Sequence, residues 1–257
     1  MFKLRIIKNS LEILGIDVGG TGIKGALVNV ETGKLTTDKY RIPTPNPATP
    51  EAIANTIQEL VNHFNWKGLV GCGFPTPLQH GKCLTGGNLH EDWKGVQVDT
   101  LFKSKTGNDF SIVNDADAAG LAEINFGAGK NVKGTVIMIT LGTGIGSGLF
   151  LDGKLLPNTE FGHVLYKNGE IFEKYASDSA RKRDDLSRKE WGKRLCKYFK
   201  HINLLVSPDL IIVGGGASKK FDKIEAQFDI DVNIVPAKAE NEAGIIGAAM
   251  AAKNQIK

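Results

Sequence analysis

The pattern of apolar and polar positions along the chain predicts strands that alternate with helices. Short β-branched runs bounded by glycine, proline or polar clusters predict strands, and apolar residues spaced three or four apart predict helices. The predicted strands cover residues 13–17, 22–30, 34–42, 69–74, 110–113, 136–139, 210–213 and 232–235. The predicted helices cover residues 50–64, 98–103, 114–123, 179–206 and 242–252, and residues 76–93 are expected to be irregular. The pattern indicates an α/β fold.

The most informative stretch is a glycine-rich turn between the first two strands. It consists of Asp17, Val18, Gly19, Gly20, Thr21 and Gly22. Glycines allow positive φ and leave no Cβ in the way, so backbone N–H groups can converge on an anion such as phosphate. The glycine spacing also matches the dinucleotide fingerprint, but residues 26–30 are strand-like where that fingerprint requires a helix. Alone, the turn would be interpreted as an ordinary glycine-rich hairpin.

A second copy of this turn lies about 120 residues further along the chain. It consists of Gly142, Thr143, Gly144 and Ile145. Two such hairpins suggest two related halves that face one ligand. Only the first carries a carboxylate, Asp17, so only the first could hold a metal through an acid. We expect a smaller α/β lobe at residues 1–113, on which a C-terminal helix at 242–257 packs, and a larger α/β lobe at residues 114–241.

The composition leaves the predicted α/β fold unchanged and is that of a globular protein. The chain has 257 residues, of which 41% are apolar and 23% charged, with a formal net charge of +4; this is ordinary for a globular protein. The cysteines Cys72, Cys83 and Cys196 lack the spacing of a zinc site or a disulfide framework. We expect no signal peptide and no membrane-spanning run, and hence a cytoplasmic protein. Residues 1–10 are expected to form an extension or an extra edge strand.

A helix predicted from Arg188 has two distinct faces. Ser187 and Glu190 have the spacing of a capping box. The apolar stripe consists of Trp191, Leu195, Tyr198, Ile202 and Leu205, and the opposite lysine stripe of Lys189, Lys193, Lys197 and Lys200. Residues 181–200 contain nine Lys and Arg against three Asp and Glu. A lysine stripe is usually a solvated helix face, and the alternative is a track for a polyanion.

The chain contains the parts that phosphoryl transfer needs, which are a phosphate cradle, a metal and a carboxylate that orients the acceptor hydroxyl. The two hairpins supply the cradle, and Asp17 supplies the metal-side carboxylate. Asp115 is the candidate base because it ends a strand, where open α/β sheets place their chemistry. Asp117 competes for this role, but two residues into the helix it is better placed to interact with the helix dipole.

Further polar residues suit a hydroxylated ligand such as a sugar. Glu160 and His163 could accept and donate hydrogen bonds to vicinal hydroxyls, although a plain loop with a satisfied histidine is the alternative. A metal site at Glu160 and His163 is the weaker interpretation, because no third ligand lies at a suitable spacing in the nearby sequence. Asn88 and Asn114 offer additional polar contacts.

Five segments carry a resemblance to a known family. They are Asp17 to Gly25, Asn114 to Ala118, Leu141 to Gly148, Pro157 to His163 and Ile212 to Gly216, in order within residues 13–252. These segments resemble the sugar-kinase branch of the ROK (repressor, open reading frame, kinase) family and, within it, the polyphosphate glucokinases.

The resemblance implies an actin-like, ribonuclease-H-like, duplicated two-lobed fold that closes over a sugar, with Mg²⁺ and a homodimer. Asp115 would be the base that takes the O6 proton of glucose. Sugar hydroxyls would be held by Asn114, Glu160 and His163. Phosphates would be held by the two glycine loops and Lys24, and Gly214 and Gly215 would border the nucleotide or polymer.

The chain departs from the family pattern in two places. The cysteine cluster that binds zinc in many ROK kinases is absent after His163, and residues 176–187 resemble the polyphosphate-using branch. This favours polyphosphate as donor and no zinc. Thr76 and Pro77 stand where the family usually has a glycine after Pro75, which leaves the choice between glucose and mannose open.

We therefore expect a kinase that transfers phosphate from inorganic polyphosphate, with ATP as a possible second donor, to O6 of glucose. An ATP-dependent hexose kinase for glucose or mannose would leave the lysine stripe unused. A sugar-sensing protein without catalysis is the non-enzyme alternative, but repressors of the family carry a helix-turn-helix ahead of the first motif, for which about a dozen residues are too few. We expect no nucleic-acid or membrane partner.

Overall fold

The structure is a computed structural model that describes residues 6–7, 10–87 and 89–256. Asn88 lies outside the described residues. The chain divides into two compact units: the first ends at Ala122 and resumes at Asn241, and the second is Glu123–Glu240. The sequence placed the boundary earlier, after residue 113. The two units are described separately.

The first unit is built on a 7-stranded sheet. Its strands are β1 (Ile6–Ile7), β2 (Ser10–Val18), β3 (Ile23–Asn29), β4 (Lys34–Leu35), β5 (Tyr40–Ile42), β6 (Val70–Phe74) and β9 (Phe110–Asn114). The main order is β4-β3-β2-β6-β9, with β1 paired to β2 and β5 paired to β3. Strand β2 is antiparallel to β3 and parallel to β6, and β6 is parallel to β9. The carboxyl ends of β2, β6 and β9 therefore share one edge.

Four helices accompany this sheet. They are α1 (Pro50–His63), α2 (Val98–Thr106), α3 (Asp115–Phe126), which continues into the second unit, and α7 (Ala243–Lys253). Helix α1 begins where Thr49 caps it by accepting from the Ala52 N–H. Helix α7 packs directly on the sheet, because a Cβ on Gly71 would lie 1.9 Å from the Ala248 carbonyl oxygen and one on Gly15 would lie 2.2 Å from the Ile245 oxygen. Small residues thus allow backbone-to-backbone packing.

The second unit repeats this design with a 5-stranded sheet. Its strands are β10 (Thr135–Leu141), β11 (Ile145–Leu151), β12 (Lys154–Leu156), β13 (Leu210–Gly215) and β14 (Asn233–Pro236), in the order β12-β11-β10-β13-β14. Its helices are α4 (Phe172–Ala176), α5 (Asp178–Arg183) and α6 (Arg188–Val206). As in the first unit, a central strand forms a glycine hairpin with an antiparallel neighbour and pairs with a parallel strand on its other side. The duplication predicted from the repeated turn is confirmed.

Helix α6 largely confirms the pattern of its sequence. The capping box of Ser187 and Glu190 is present. Four members of the apolar stripe are fully buried, namely Trp191, Leu195, Tyr198 and Ile202. The fifth, Leu205, is 56% exposed because it lies in the last turn of the helix.

Two segments differ from the prediction. Residues 34–42 form two short strands, β4 and β5, and between them the Leu27 N–H donates to the Thr37 hydroxyl. The helical segments expected over 179–206, with one helix from Arg188, are present as α5 and α6, which are separated where Asp185 adopts φ of 47°. Residues 76–93 contain a small hairpin of β7 (Leu78–Gln79) and β8 (Lys82–Cys83) and a 3-10 helix at Glu91–Trp93. Within the described ranges, no helix combines the length and the apolar character that crossing a membrane requires.

Candidate active site

The first glycine hairpin connects β2 and β3 and is closed by its own backbone. The Gly19 N–H donates to the Gly22 carbonyl at 3.1 Å. The strand register places Asp17 opposite Lys24, and Lys24 Nζ lies 3.4 Å from Asp17 Oδ2. The residues expected to contact a metal and a phosphate therefore form an ion pair with each other.

The glycines of this hairpin serve a purpose that the sequence did not indicate. None of Gly19, Gly20 and Gly22 has a positive φ in the left-handed region, so of the two properties of glycine only the missing Cβ is used here. A Cβ on Gly20 would meet open space, whereas one on Gly22 would lie 2.4 Å from Nε of Arg41. A side chain at position 22 would therefore have to displace the Arg41 guanidinium.

Two residues that sequence reasoning missed hold the hairpin in place. Arg41 donates from Nη2 to the Thr21 carbonyl at 2.6 Å, and the Thr44 hydroxyl donates to the Gly19 carbonyl at 2.5 Å. Arg41 belongs to β5, and the pairing of β5 with β3 places it opposite Lys24. No local spacing links residues 41–44 with residues 19–22, so only this pairing reveals the contact.

The surroundings of Asp17 disfavour the charged form of its carboxyl group. Burial raises the pKa of Asp17, and the nearby Lys24 ammonium acts in the opposite direction. The start of α7 closes off one side, because a Cβ on Gly244 would lie 2.7 Å from the carboxyl carbon of Asp17. A divalent cation beside this carboxylate would offset the free-energy cost of burying its negative charge. Mg²⁺ is often held by one or two carboxylates together with substrate phosphates, so Asp17 fits such an ion.

Within residues 6–7, 10–87 and 89–256, no three His, Cys, Asp or Glu side chains cluster as a metal site would require. The three cysteines are buried and free.

Asp115 lies at the sheet edge that also carries Asp17. It directly follows β9, starts α3 and is exposed. Gly73 connects the two positions, since it is opposite Asp17 in the register and a Cβ on it would lie 3.9 Å from the Asp115 Cα. Asp117, the competing candidate, is fully buried. Of the two carboxylates, only Asp115 is accessible to a substrate hydroxyl.

Asn114 has a structural role in addition to the sugar contact expected of it. Its Oδ1 accepts from the Ala116 N–H at 2.9 Å and from the Asp117 N–H at 3.4 Å, which caps α3. Its Nδ2 donates to the Thr76 carbonyl at 3.4 Å. Asn114 is 9% exposed, so it ties the start of α3 to the Thr76 loop.

The Thr76 loop, where the chain departs from the family pattern, is anchored from within. Thr76 is 1% exposed, and its hydroxyl donates to Cys83 Sγ at 3.4 Å. Gly87 has φ of 56°, and a Cβ there would lie 2.8 Å from the Thr76 methyl group. Thr76 therefore packs against the segment that leads to Asn88.

In the second unit, the Gly142 hairpin is held by α4 and α5. The Gly142 N–H donates to the Gly144 carbonyl at 3.0 Å, and the Gly142 carbonyl accepts from the Asp178 N–H at 3.1 Å. Glu173 Oε2 accepts from the Ile145 N–H at 2.8 Å. The second hairpin has no carboxylate of its own that matches Asp17, but α4 brings Glu173 against it from outside the turn. The contact of Glu173 had one signal in the sequence, which is an acidic residue in the first turn of a helix after His163.

Glu160 and His163 lie beside the same hairpin. His163 Nδ1 is 3.8 Å from Glu160 Oε2. Burial raises the pKa of Glu160, the His163 side chain opposes this effect, and the charge of Glu173 adds to it. Ser147 of β11 fixes the segment, accepting from the Phe161 N–H at 2.9 Å. The second unit therefore brings a carboxylate and an imidazole next to a glycine loop.

Gly214 and Gly215 of β13 pack against the neighbouring strand β10. A Cβ on Gly214 would lie 2.3 Å from Cε of Met138. Gly215 has φ of 71°, and a Cβ there would lie 2.5 Å from the Leu141 carbonyl oxygen. The backbone angle and this contact account for Gly215 without a ligand, and the expected role of both glycines beside the donor stays a prediction.

The lysine stripe is solvent-exposed, and part of it has protein partners. Lys189, Lys193, Lys197 and Lys200 are all exposed. Lys200 lies 3.0 Å from Asp229, and Lys197 lies 3.5 Å from the Tyr175 hydroxyl.

The basic residues around the stripe are also engaged. Asp178 has ion pairs with Arg181, Lys182 and Arg188. Arg183 and Arg194 hydrogen-bond to Asp184 and lower its pKa to about 2. Carboxylates thus offset part of the positive charge near α6.

Comparison with known proteins identifies the family of the chain. The sequence model of the ROK family matches residues 13–180. The chain is 45% identical to the polyphosphate glucokinase of Mycobacterium tuberculosis over 238 residues, which is 92% of this chain and 89% of that protein.

Solved structures give the same result. The inorganic polyphosphate/ATP-glucomannokinase from Arthrobacter sp. strain KM superposes with a TM-score of 0.89 at 45% identity, covering 95% of this chain and 99% of that one. A ROK family glucokinase from Streptomyces griseus, solved with glucose and AMPPNP, superposes with a TM-score of 0.80 at 24% identity, covering 95% and 99%. The α/β, actin-like fold of sugar kinases expected from the motifs is confirmed. The chain belongs to the ROK family.

Proposed function

We propose that the protein is a polyphosphate-dependent glucokinase that transfers the terminal phosphoryl group of inorganic polyphosphate, and of ATP as a second donor, to O6 of glucose. The observation that carries the reaction type is the exposed Asp115 at the sheet edge where the glycine hairpin with Asp17 and Lys24 lies. The choice of donor and sugar is supported by the similarity to the mycobacterial polyphosphate glucokinase and the Arthrobacter polyphosphate/ATP-glucomannokinase.

In the proposed reaction, Asp115 accepts the proton of the glucose 6-hydroxyl as O6 attacks the terminal phosphorus. The bond between that phosphorus and its bridging oxygen breaks, the donor leaves shorter by one phosphate, and Asp115 later returns its proton to water. Lys24 and the backbone N–H groups of the hairpin at 19–22 bind phosphate oxygens in the first unit. Residues 142–144 do so in the second. Catalysis then consists mainly of positioning and charge stabilisation.

The sugar hydroxyls are bound by Glu160, His163 and Asn114, with Asn88 as a further contact. An ionised Glu160 accepts hydrogen bonds from two vicinal hydroxyls, and His163 can donate one. These contacts are proposed to orient the sugar for attack by O6.

Mg²⁺ is part of the proposal, and Asp17 is the residue that would hold it. The ion would supply positive charge that neutralises the phosphate oxygens as the bond breaks. We expect no zinc, because the cysteine cluster that binds zinc in many ROK kinases is absent after His163.

An ATP-dependent hexose kinase is the second candidate function. It is favoured by the name of the Arthrobacter structure, which includes both ATP and mannose phosphorylation. It would use the same base and hairpins, but it would leave the exposed lysine stripe without a role.

The proposal includes a cytoplasmic homodimer. Three buried free thiols suit a reducing compartment. Sedimentation analysis of the purified protein would test the dimer.

Asp115→Asn should lower kcat by about 100-fold or more, because an amide cannot accept the O6 proton. Coupled measurement of glucose 6-phosphate formation reports this loss. Asp109→Asn is the matched control, since Asp109 is paired with Lys103 away from the sheet edge, and it should retain activity. Retention of kcat in Asp115→Asn would remove this residue from the role of base.

Glu160→Gln should change the pH profile of kcat/KM for glucose. Because burial raises the pKa of Glu160, its carboxylate becomes protonated at a higher pH than an ordinary glutamate, and hydroxyl binding is lost as the pH falls. The variant should have a lower kcat/KM at neutral pH and lack this acidic limb. Glu170→Gln, an exposed residue paired with Lys174, should keep the wild-type profile. An unchanged acidic limb in Glu160→Gln would contradict the assignment.

Replacing Lys189, Lys193, Lys197 and Lys200 together by glutamine should raise KM for long-chain polyphosphate more than KM for ATP. It should also flatten the dependence of KM on salt, because fewer counterions are exchanged. Replacing four exposed lysines of the first unit is the matched control: Lys34, Lys39, Lys94 and Lys103. Equal changes for both donors, or equal changes in both variants, would show that the stripe is only a solvated face.

A further inference from the structure

Arg41 completes a row of charged residues across three neighbouring strands. Asp17 of β2 is opposite Lys24 of β3, and Lys24 is opposite Arg41 of β5. Side chains at directly opposed positions project from the same face of a sheet. One carboxylate and two cations therefore line up beside the hairpin that connects β2 and β3.

The guanidinium of Arg41 packs against that hairpin. Its Nη2 donates to the Thr21 carbonyl at 2.6 Å. A Cβ on Gly22 would lie 2.4 Å from its Nε and 2.6 Å from its Cζ. Gly22 has no positive φ, so a Cβ there would act on the site by displacing the Arg41 guanidinium.

Arg41 differs from the other arginines whose side chains the structure describes. Arg181, Arg183, Arg188 and Arg194 each have an ion pair with Asp178 or Asp184. Among the described residues, no carboxylate oxygen lies within ion-pair distance of Arg41, and its side chain is exposed. A fixed guanidinium with unused N–H donors is a binding group for an anion.

The chemistry of the surroundings identifies that anion. Beside Arg41, a Cβ on Gly20 would meet open space, so the backbone of the hairpin is accessible. A guanidinium binds two phosphate oxygens at once through parallel N–H donors. Lys24 adds a second positive charge in the same row.

We propose that Arg41 binds the phosphate chain of the donor at the first glycine hairpin, through guanidinium donors that the Thr21 carbonyl does not use. This inference rests on the proposed function, because it deepens the donor site of the same reaction. The shared ligand chemistry is a linear phosphate anhydride, which both inorganic polyphosphate and ATP provide.

The test measures binding and turnover separately. Inorganic tripolyphosphate and ATP are each titrated by calorimetry into the wild type and into Arg41→Gln, Arg41→Lys and Gly22→Ala. Lys39→Gln is the matched control: it removes one positive charge two residues away, from a lysine paired with Glu242. Steady-state kcat and KM for both donors are then measured with saturating glucose.

Arg41→Gln should weaken tripolyphosphate binding by about 10-fold to 100-fold, the range expected for losing a charge-assisted hydrogen-bond pair. Arg41→Lys should recover part of that loss. Gly22→Ala should weaken binding too, because its Cβ displaces the guanidinium, and it should add little in an Arg41→Gln background. Lys39→Gln should bind like the wild type. An equal loss for ATP makes the site common to both donors, and a loss for tripolyphosphate alone restricts it to the polymer.

The inference is overturned if Arg41→Gln binds and turns over both donors as Lys39→Gln does, or if the wild type binds neither. Arg41-dependent binding without glucose phosphorylation would support the phosphate site and refute the proposed function. The two failures are thus distinguishable.

Discussion

The structure depends on how one central strand is paired in each unit. In the first unit, β2 forms a glycine hairpin with antiparallel β3 on one side and pairs with parallel β6 on the other; β10 does the same with β11 and β13. A tight hairpin keeps a glycine turn at the carboxyl end of the central strand. The parallel neighbours bring their own carboxyl ends to that edge. Asp17 and Asp115, which are far apart in sequence, therefore share an edge because of strand direction alone.

Much of this arrangement could be predicted from local sequence. The β-branched runs on either side of each glycine turn predicted the hairpins, and their repetition predicted the duplicated sheets, because side-chain period and turn chemistry act over a few residues. Asp115 was placed correctly at the end of a strand for the same reason. The capping box at Ser187 is another local signal that the structure confirms.

The features that the sequence did not predict are contacts between residues that are far apart along the chain. Arg41 and Thr44 reach the first hairpin only because β5 pairs with β3, and Glu173 reaches the second because α4 packs beside it. The packing of the Arg41 guanidinium against Gly22 depends on the same strand pairing. The sequence shows which positions are glycine. It does not show which neighbouring group occupies the space beside each of them.

The central claim is that this arrangement transfers phosphate to glucose from a linear polyphosphate. The most direct measurement is the initial rate of glucose 6-phosphate formation by the purified wild-type protein, with Mg²⁺ and with long-chain polyphosphate or ATP as the only donor, at low and high salt. The account predicts a clear rate with polyphosphate that falls as salt increases, and a rate with ATP that depends less on salt. Turnover with ATP and none with polyphosphate, or no turnover with either donor, would contradict it.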